Sequence, residues 1–283
     1  MACKGRHTPL WLKIQKEEIQ MRNLKRALSL ALAAIMLIGM MVVSASAVSY
    51  NDLTDKDQIV NKDAVSMLVS LGIIEGKPDG SYGPTENVDR AQMAKMLSVI
   101  MNKGVDNSAL YQSVNSGLTD ITSNWAKGHI NYCYTTGIIA GRGNGKFDPS
   151  ATVTALEAAK MLLVAVGYDP AIEGFEGADW AINVSVRADE QGIFEGFTKD
   201  LSAPLNRDDA ALLIYNALDV EMIQSYTTNN YPIAYSDHRT ILADKYGVGI
   251  HMHVAEAKEE NEKARQSQDL SDTAEFPAQG AKE

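Results

Sequence analysis

The chain has 283 residues, 45% of them apolar and 22% charged, and carries a formal net charge of −10. The composition is ordinary for a globular protein and excludes little. The charge excludes more: a negative field repels nucleic acid and anionic lipid, so an anionic ligand must be gripped by a few local Arg or Lys side chains.

In chain order, the first feature is a leader. Met21 is followed by Arg22, Lys25 and Arg26, then by the apolar run Ala27 to Val43, then by Ala45-Ser46-Ala47. A charged start, an apolar stretch and a small-residue site describe a secretory signal peptide. The competing reading is a membrane anchor, for which an apolar run of 17 residues is at the short limit. Residues 1–47 are therefore read as leader and signal peptide, with translation starting at Met21 and cleavage after Ala47. The leader carries seven Lys or Arg against two Asp or Glu, so its removal takes the net charge from −10 to −15. Cys3 leaves with it and Cys133 remains alone, so no internal disulfide forms and the exported part needs an ordinary core.

The next segment repeats. Leu53-Thr54-Asp55 recurs as Leu118-Thr119-Asp120, Gly72-Ile73-Ile74 as Gly137-Ile138-Ile139, Gly80 as Gly145, Pro84 as Pro149 and Val88 as Val153, always 65 positions apart. A more degenerate third copy begins near Trp180, 55 positions after Trp125, and runs through Gly192-Ile193, Gly196, Pro204 and Leu205. The boundaries are 50–104, 115–168 and 175–223, joined by linkers rich in Ser, Asn, Gly and Asp.

Within each copy the pattern predicts helix, loop, helix. Ala64, Met67, Leu68 and Leu71 lie on one helical face that stops at Gly72. The following loop concentrates turn formers, with Asp79-Gly80 and Asn144-Gly145 as tight-turn dipeptides. The second helix shows the faces Met93-Met96-Leu97-Ile100, Ala158-Met161-Leu162-Ala165 and Ala210-Leu213-Ile214-Ala217. Asn87, Thr152 or Thr154, and Asn206 or Asp208 offer N-cap oxygens. One copy cannot bury such a face alone, so the expected fold is mostly α, with three helix-loop-helix repeats packed in pseudo-threefold symmetry.

The second copy contains Leu118-Thr119-Asp120, Trp125-Ala126, Gly137-Ile138-Ile139-Ala140-Gly141, Phe147-Asp148-Pro149 and Val153-Thr154-Ala155-Leu156-Glu157. Copies one and three contribute Val88-Asp89-Arg90-Ala91-Gln92 and Leu205-Asn206-Arg207-Asp208-Asp209. This succession resembles the S-layer homology (SLH) family. The resemblance implies a three-pronged spindle with grooves between prongs, located at the bacterial cell wall. It also implies noncovalent binding of a secondary cell wall polysaccharide, often pyruvylated. Carried over by position, the implied ligand-binding residues are Arg90 and Arg207, Asp55 and Asp120, and Trp125 and Trp180.

The chemistry fits those types. A guanidinium offers a carboxylate paired donors that lysine cannot copy, an indole face packs on a sugar ring, and Asp accepts from hydroxyls. Alternatives remain open: a solvated helix-start residue or a structural salt bridge for the arginines, core packing for the tryptophans and turn capping for the aspartates. The copies are unequal, since Ala155 stands where the Arg belongs in copy two, Val60 stands where Trp125 sits, and copy three lacks a counterpart of Asp120.

Catalytic motifs are not found in the exported part, so no catalytic residue, metal ligand or cofactor is expected and the protein is read as a non-enzyme. Gly141 to Gly145 is a turn, not a phosphate loop, and Cys133 is a buried, inert thiol. Residues 224–283 are read as a polar tail, truncated or disordered, in which His251-Met252-His253 resembles a scrap of an amidohydrolase strand without room for its barrel. A secreted enzyme fragment and a self-assembling envelope protein are the competing functions. Nucleic acid is not an expected partner, nor is the membrane after cleavage.

Overall fold

A computed structural model describes residues 49–248. Six helices form three pairs: α1 (Lys62–Ser70) with α2 (Arg90–Met101), α3 (Lys127–Thr135) with α4 (Ala155–Val166), and α5 (Trp180–Glu190) with α6 (Arg207–Leu218). The first helix of each pair ends identically. Gly72, Gly137 and Gly192 adopt positive φ, and the amides of Ile73, Ile138 and Ile193 donate back to the carbonyls of Leu68, Cys133 and Ala188, each at 2.9 Å. A glycine takes this left-handed turn without a Cβ clash, and the isoleucine after it drops into the core.

The second helices begin on side-chain caps. Asp89 accepts from the Gln92 amide (2.7 Å), Thr154 from the Glu157 amide (3.2 Å) and Asn206 from the Asp209 amide (2.7 Å). In the first pair the cap is Asp89, next to the helix start, and not Asn87, which stands two residues earlier in a backbone bridge with Asn206.

That bridge belongs to the feature that joins the three pairs. The residues entering α2, α4 and α6 form a ring: the Val153 amide donates to the Val88 carbonyl (2.9 Å), Leu205 to Val153 (2.8 Å) and Val88 to Leu205 (2.8 Å). All three side chains are buried. Helices follow the same cycle, with α3 against α2, α5 against α4 and α1 against α6. The first helix of each pair thus rests on the second helix of the pair before it, and α1 on α6 closes the circuit. Met93, Leu97 and Ile100, Ala158 and Leu162, and Leu213 and Ile214 fill the shared core.

The closing contact carries a polar latch. Asn61 donates its amide to Asp208 Oδ1 (3.2 Å) and its side-chain Nδ2 to Asp208 Oδ2 (3.0 Å), with Asp208 buried. The linker before α3 is also held down, by Asn131 Nδ2 donating to the carbonyls of Tyr111 (2.9 Å) and Val114 (3.0 Å).

After α6 the chain departs from the expected tail. β1 (Ile223–Tyr226) pairs antiparallel with β2 (Pro232–Ala234), and α7 (Ile241–Tyr246) packs near α2 and α6, with Ile241 buried and Tyr246 Oη donating to the Ile100 carbonyl (3.3 Å). Mean polarity concealed this piece, since its apolar residues, among them Ile223, Tyr226, Ile233, Ile241 and Tyr246, are scattered in short groups among polar ones. The expected signal peptide and the His251-His253 pair lie outside the described residues. Among the described residues no helix is long and apolar enough to cross a membrane.

Replacing Asn61 with Ala removes the side-chain half of the latch and leaves a buried carboxylate short of a donor. Urea denaturation is expected to show a loss of about 1–3 kcal/mol, whereas unchanged stability would show that the α1–α6 closure does not depend on this pair.

Candidate functional site

Two clefts are related by the repeat. The larger, about 450 Å³, is bounded by the loop after α3 (Ile138 to Arg142), by Glu157, Lys160 and Met161 of α4, by Phe175 to Gly177, by Trp180 at the start of α5, and by Arg90 from the first pair. The smaller, about 180 Å³, uses Ile73 to Lys77, Gln92, Lys95 and Met96 of α2, Trp125, and Arg207 from the third pair. Residue for residue, Lys95 matches Lys160, Lys77 matches Arg142, Trp125 matches Trp180 and Arg207 matches Arg90. Each cleft therefore needs all three pairs: one gives loop and helix, the next a tryptophan, the preceding one an arginine.

Each arginine sits at the first turn of a second helix, placed by the ring. Arg90 is only 5% exposed. Its Nε donates to the Phe147 carbonyl (2.8 Å) and its Nη2 to the Ala140 carbonyl (2.8 Å), and the guanidinium lies 4.3 Å from the Phe147 ring centroid. Arg207 repeats this against the first loop, with Nε on the Tyr82 carbonyl (2.8 Å), Nη2 near the Glu75 carbonyl (3.4 Å) and the Tyr82 ring at 4.7 Å. Burial, then the neighbouring Arg142, pushes Arg90 down to about 10, which leaves it cationic at neutral pH. Both arginines brace the neighbouring loop with one edge and line a cleft; among the described residues neither forms a salt bridge.

The aspartates occupy a different place. Asp55 accepts from the amides of Tyr82 (2.7 Å) and Gly83 (2.8 Å), and Asp120 from those of Phe147 (2.9 Å) and Asp148 (2.8 Å). Both carboxylates hold the turn that presents the aromatic under the arginine, and neither lines the two clefts. Although burial works against it, these amides hold Asp120 below the usual carboxylate range.

The tryptophans do reach the clefts. Trp125 is 57% exposed, and Trp180 is half-buried with Lys160 Nζ 5.7 Å from its ring. Beneath Trp125 lies buried His129, whose Nδ1 is 2.6 Å from Ser98 Oγ. Burial depresses the His129 pKa against the opposing charge of Asp106, with a smaller contribution from nearby Lys95.

Reading the sequence for arginines alone passed over the remaining cations. Lys95 pairs with Glu75 (3.1 Å), Arg142 with Glu157 (2.8 Å) and Lys77 with Glu86. The offset that revealed the repeat also aligns Lys77 with Arg142 and Lys95 with Lys160, so the signal was present. At the third corresponding place, Val60 (81% exposed) replaces the tryptophan, Ala155 the arginine and Leu212 the lysine. Cys133 is buried, and burial raises its pKa, as expected for an inert thiol.

Two stability predictions follow from this geometry. Arg90→Lys keeps the charge but cannot reach both carbonyls, so unfolding free energy should fall by about 1–3 kcal/mol in urea titration; an unchanged value would contradict the bracing role. Because folded His129 binds its proton less readily than the unfolded chain, acidification below about pH 6.5 should lower stability until pH passes the depressed folded value. His129→Gln should flatten that part of the melting-temperature profile between pH 7 and 5, and an identical slope would contradict the assignment.

Comparison with known proteins bears on the family. The family model for the S-layer homology domain matches residues 49–94 and 117–159. A cell surface protein of Thermoanaerobacter kivui is 30% identical over 206 residues, covering 72% of this chain and 26% of that protein. A middle cell wall protein of Brevibacillus brevis is 27% identical over 217 residues, covering 76% and 20%, and an S-layer protein of Bacillus licheniformis is 33% identical over 113 residues, covering 40% and 12%. The chain spans about a quarter or less of the length of these relatives. Two of the three helix pairs thus carry S-layer homology sequence.

Proposed function

We propose that the protein anchors itself noncovalently to the bacterial cell wall by holding a carboxylate-bearing secondary wall polysaccharide in the two clefts. The cell-surface location follows from the S-layer homology segments and from relatives named as surface and wall proteins. The observation that carries the ligand class is the recurrence of one constellation: a braced arginine, a second basic side chain from the loop, a helix lysine and an accessible indole face. A pyruvyl ketal presents such a site with a carboxylate for the guanidinium and an apolar sugar face for the ring. Arg90, Arg207, Trp125 and Trp180 make direct contact in this reading, while Asp55 and Asp120 shape the loops.

The third helix pair is read as a degenerate third copy. It supplies Arg207 and Trp180 to its neighbours' clefts and lacks an equipped cleft of its own. The reading is of an anchor and not a catalyst.

Sedimentation with isolated wall sacculi tests it. The chain should pellet with intact walls and stay in solution with walls stripped of their secondary polymer. Trp125→Ala and Trp180→Ala should each weaken binding about tenfold, the worth of roughly one well-placed aromatic contact. Equal binding to stripped and intact walls would overturn the reading.

A further inference from the structure

The two clefts differ in one wall. The larger uses Phe175, Glu176 and Gly177 from the linker that runs from α4 into α5, and the smaller has no counterpart of them. That linker is fixed from a part of the chain outside the helix pairs. The Asp169 amide donates to Tyr226 Oη (2.9 Å), and Tyr226 Oη in turn donates to Glu173 Oε1 (3.0 Å). The other oxygen of Glu173 accepts from Arg187 Nε (2.9 Å), and the Glu173 side chain is only 6% exposed. Two residues on, Phe175 is fully buried, its amide bonded to the Pro170 carbonyl (2.8 Å) and its own carbonyl accepting from Lys160. Strand β1 presses on the same linker at its start, where a Cβ on Gly167 would lie 2.5 Å from the Ile223 carbonyl oxygen.

We infer that Tyr226, through Glu173, is a positioning residue for the larger cleft, setting the Phe175 to Gly177 wall and with it the reach of Lys160 and Trp180 toward the polysaccharide. The C-terminal hairpin is then a support for one binding site and leaves the other untouched. Removing the phenolic oxygen frees the Asp169 amide and one Glu173 oxygen, so the wall loosens while the helix core stays intact. The inference rests on the polysaccharide reading above.

The test isolates each cleft in the full chain. Polymer released from wall sacculi is titrated into Trp125→Ala, where the larger cleft dominates, and into Trp180→Ala, where the smaller does. Adding Tyr226→Phe should weaken binding fivefold or more in the first background and leave the second within twofold, at a temperature where circular dichroism shows every variant folded. Glu173→Gln serves as a second variant and should show the same selectivity. Equal loss in both backgrounds, or no loss in the first, overturns the inference while the anchoring reading stands. Failure of the unmodified chain to bind the polymer overturns both.

Discussion

The structure depends on three backbone hydrogen bonds. Val88, Val153 and Leu205 each give an amide to one neighbour and a carbonyl to the other, and the ring has no free edge. Buried backbone groups left unpaired carry a heavy penalty, so no one of the three entry segments is satisfied without the other two. The ring fixes where α2, α4 and α6 begin, and hence where Arg90 and Arg207 stand two residues later. Helix packing follows the same cycle, which makes the fold mutually supporting although each pair is too small to bury its apolar face alone.

That cyclic construction explains why each cleft is assembled from three pairs. A loop and helix alone would offer a shallow basic surface. The neighbours' tryptophan and arginine add a flat apolar face and a guanidinium to it. The arginines perform two tasks at once: carbonyls and an aromatic ring grip one side, and the guanidinium is held without freedom to wander. Ordering a long side chain beforehand lowers the entropy lost on binding. In an acidic chain, this is how an anion can be held against the mean field.

Much of this was legible in the sequence. The offset of 65, the glycine stops and the apolar faces specify helix pairs because those signals are local, and the match of Arg90 with Arg207 marks the clefts. The role of Asp55 and Asp120 was left open between ligand contact and turn capping, because whether a carboxylate faces a ligand or two amides depends on a loop 27 residues away in sequence. The hairpin after α6 was hidden by its polar average, and its meaning lies in a single long-range contact, from Tyr226 to Glu173. The gaps at the third place were visible at Val60 in the first copy and Ala155 in the second; the third copy's contribution of Trp180 and Arg207 to other clefts became clear only from the cyclic packing.

The central claim is that two repeat-related clefts hold one kind of anionic sugar. The most direct measurement is a nitrogen–proton NMR titration of the labelled chain with a pyruvylated wall-polymer fragment, following the indole signals of Trp125 and Trp180 and the Nε signals of Arg90 and Arg207. The account predicts that all four move, with no comparable change at Cys133 or in the core, and that the same fragment without its carboxylate moves them far less. Shifts confined to residues outside both clefts would contradict it.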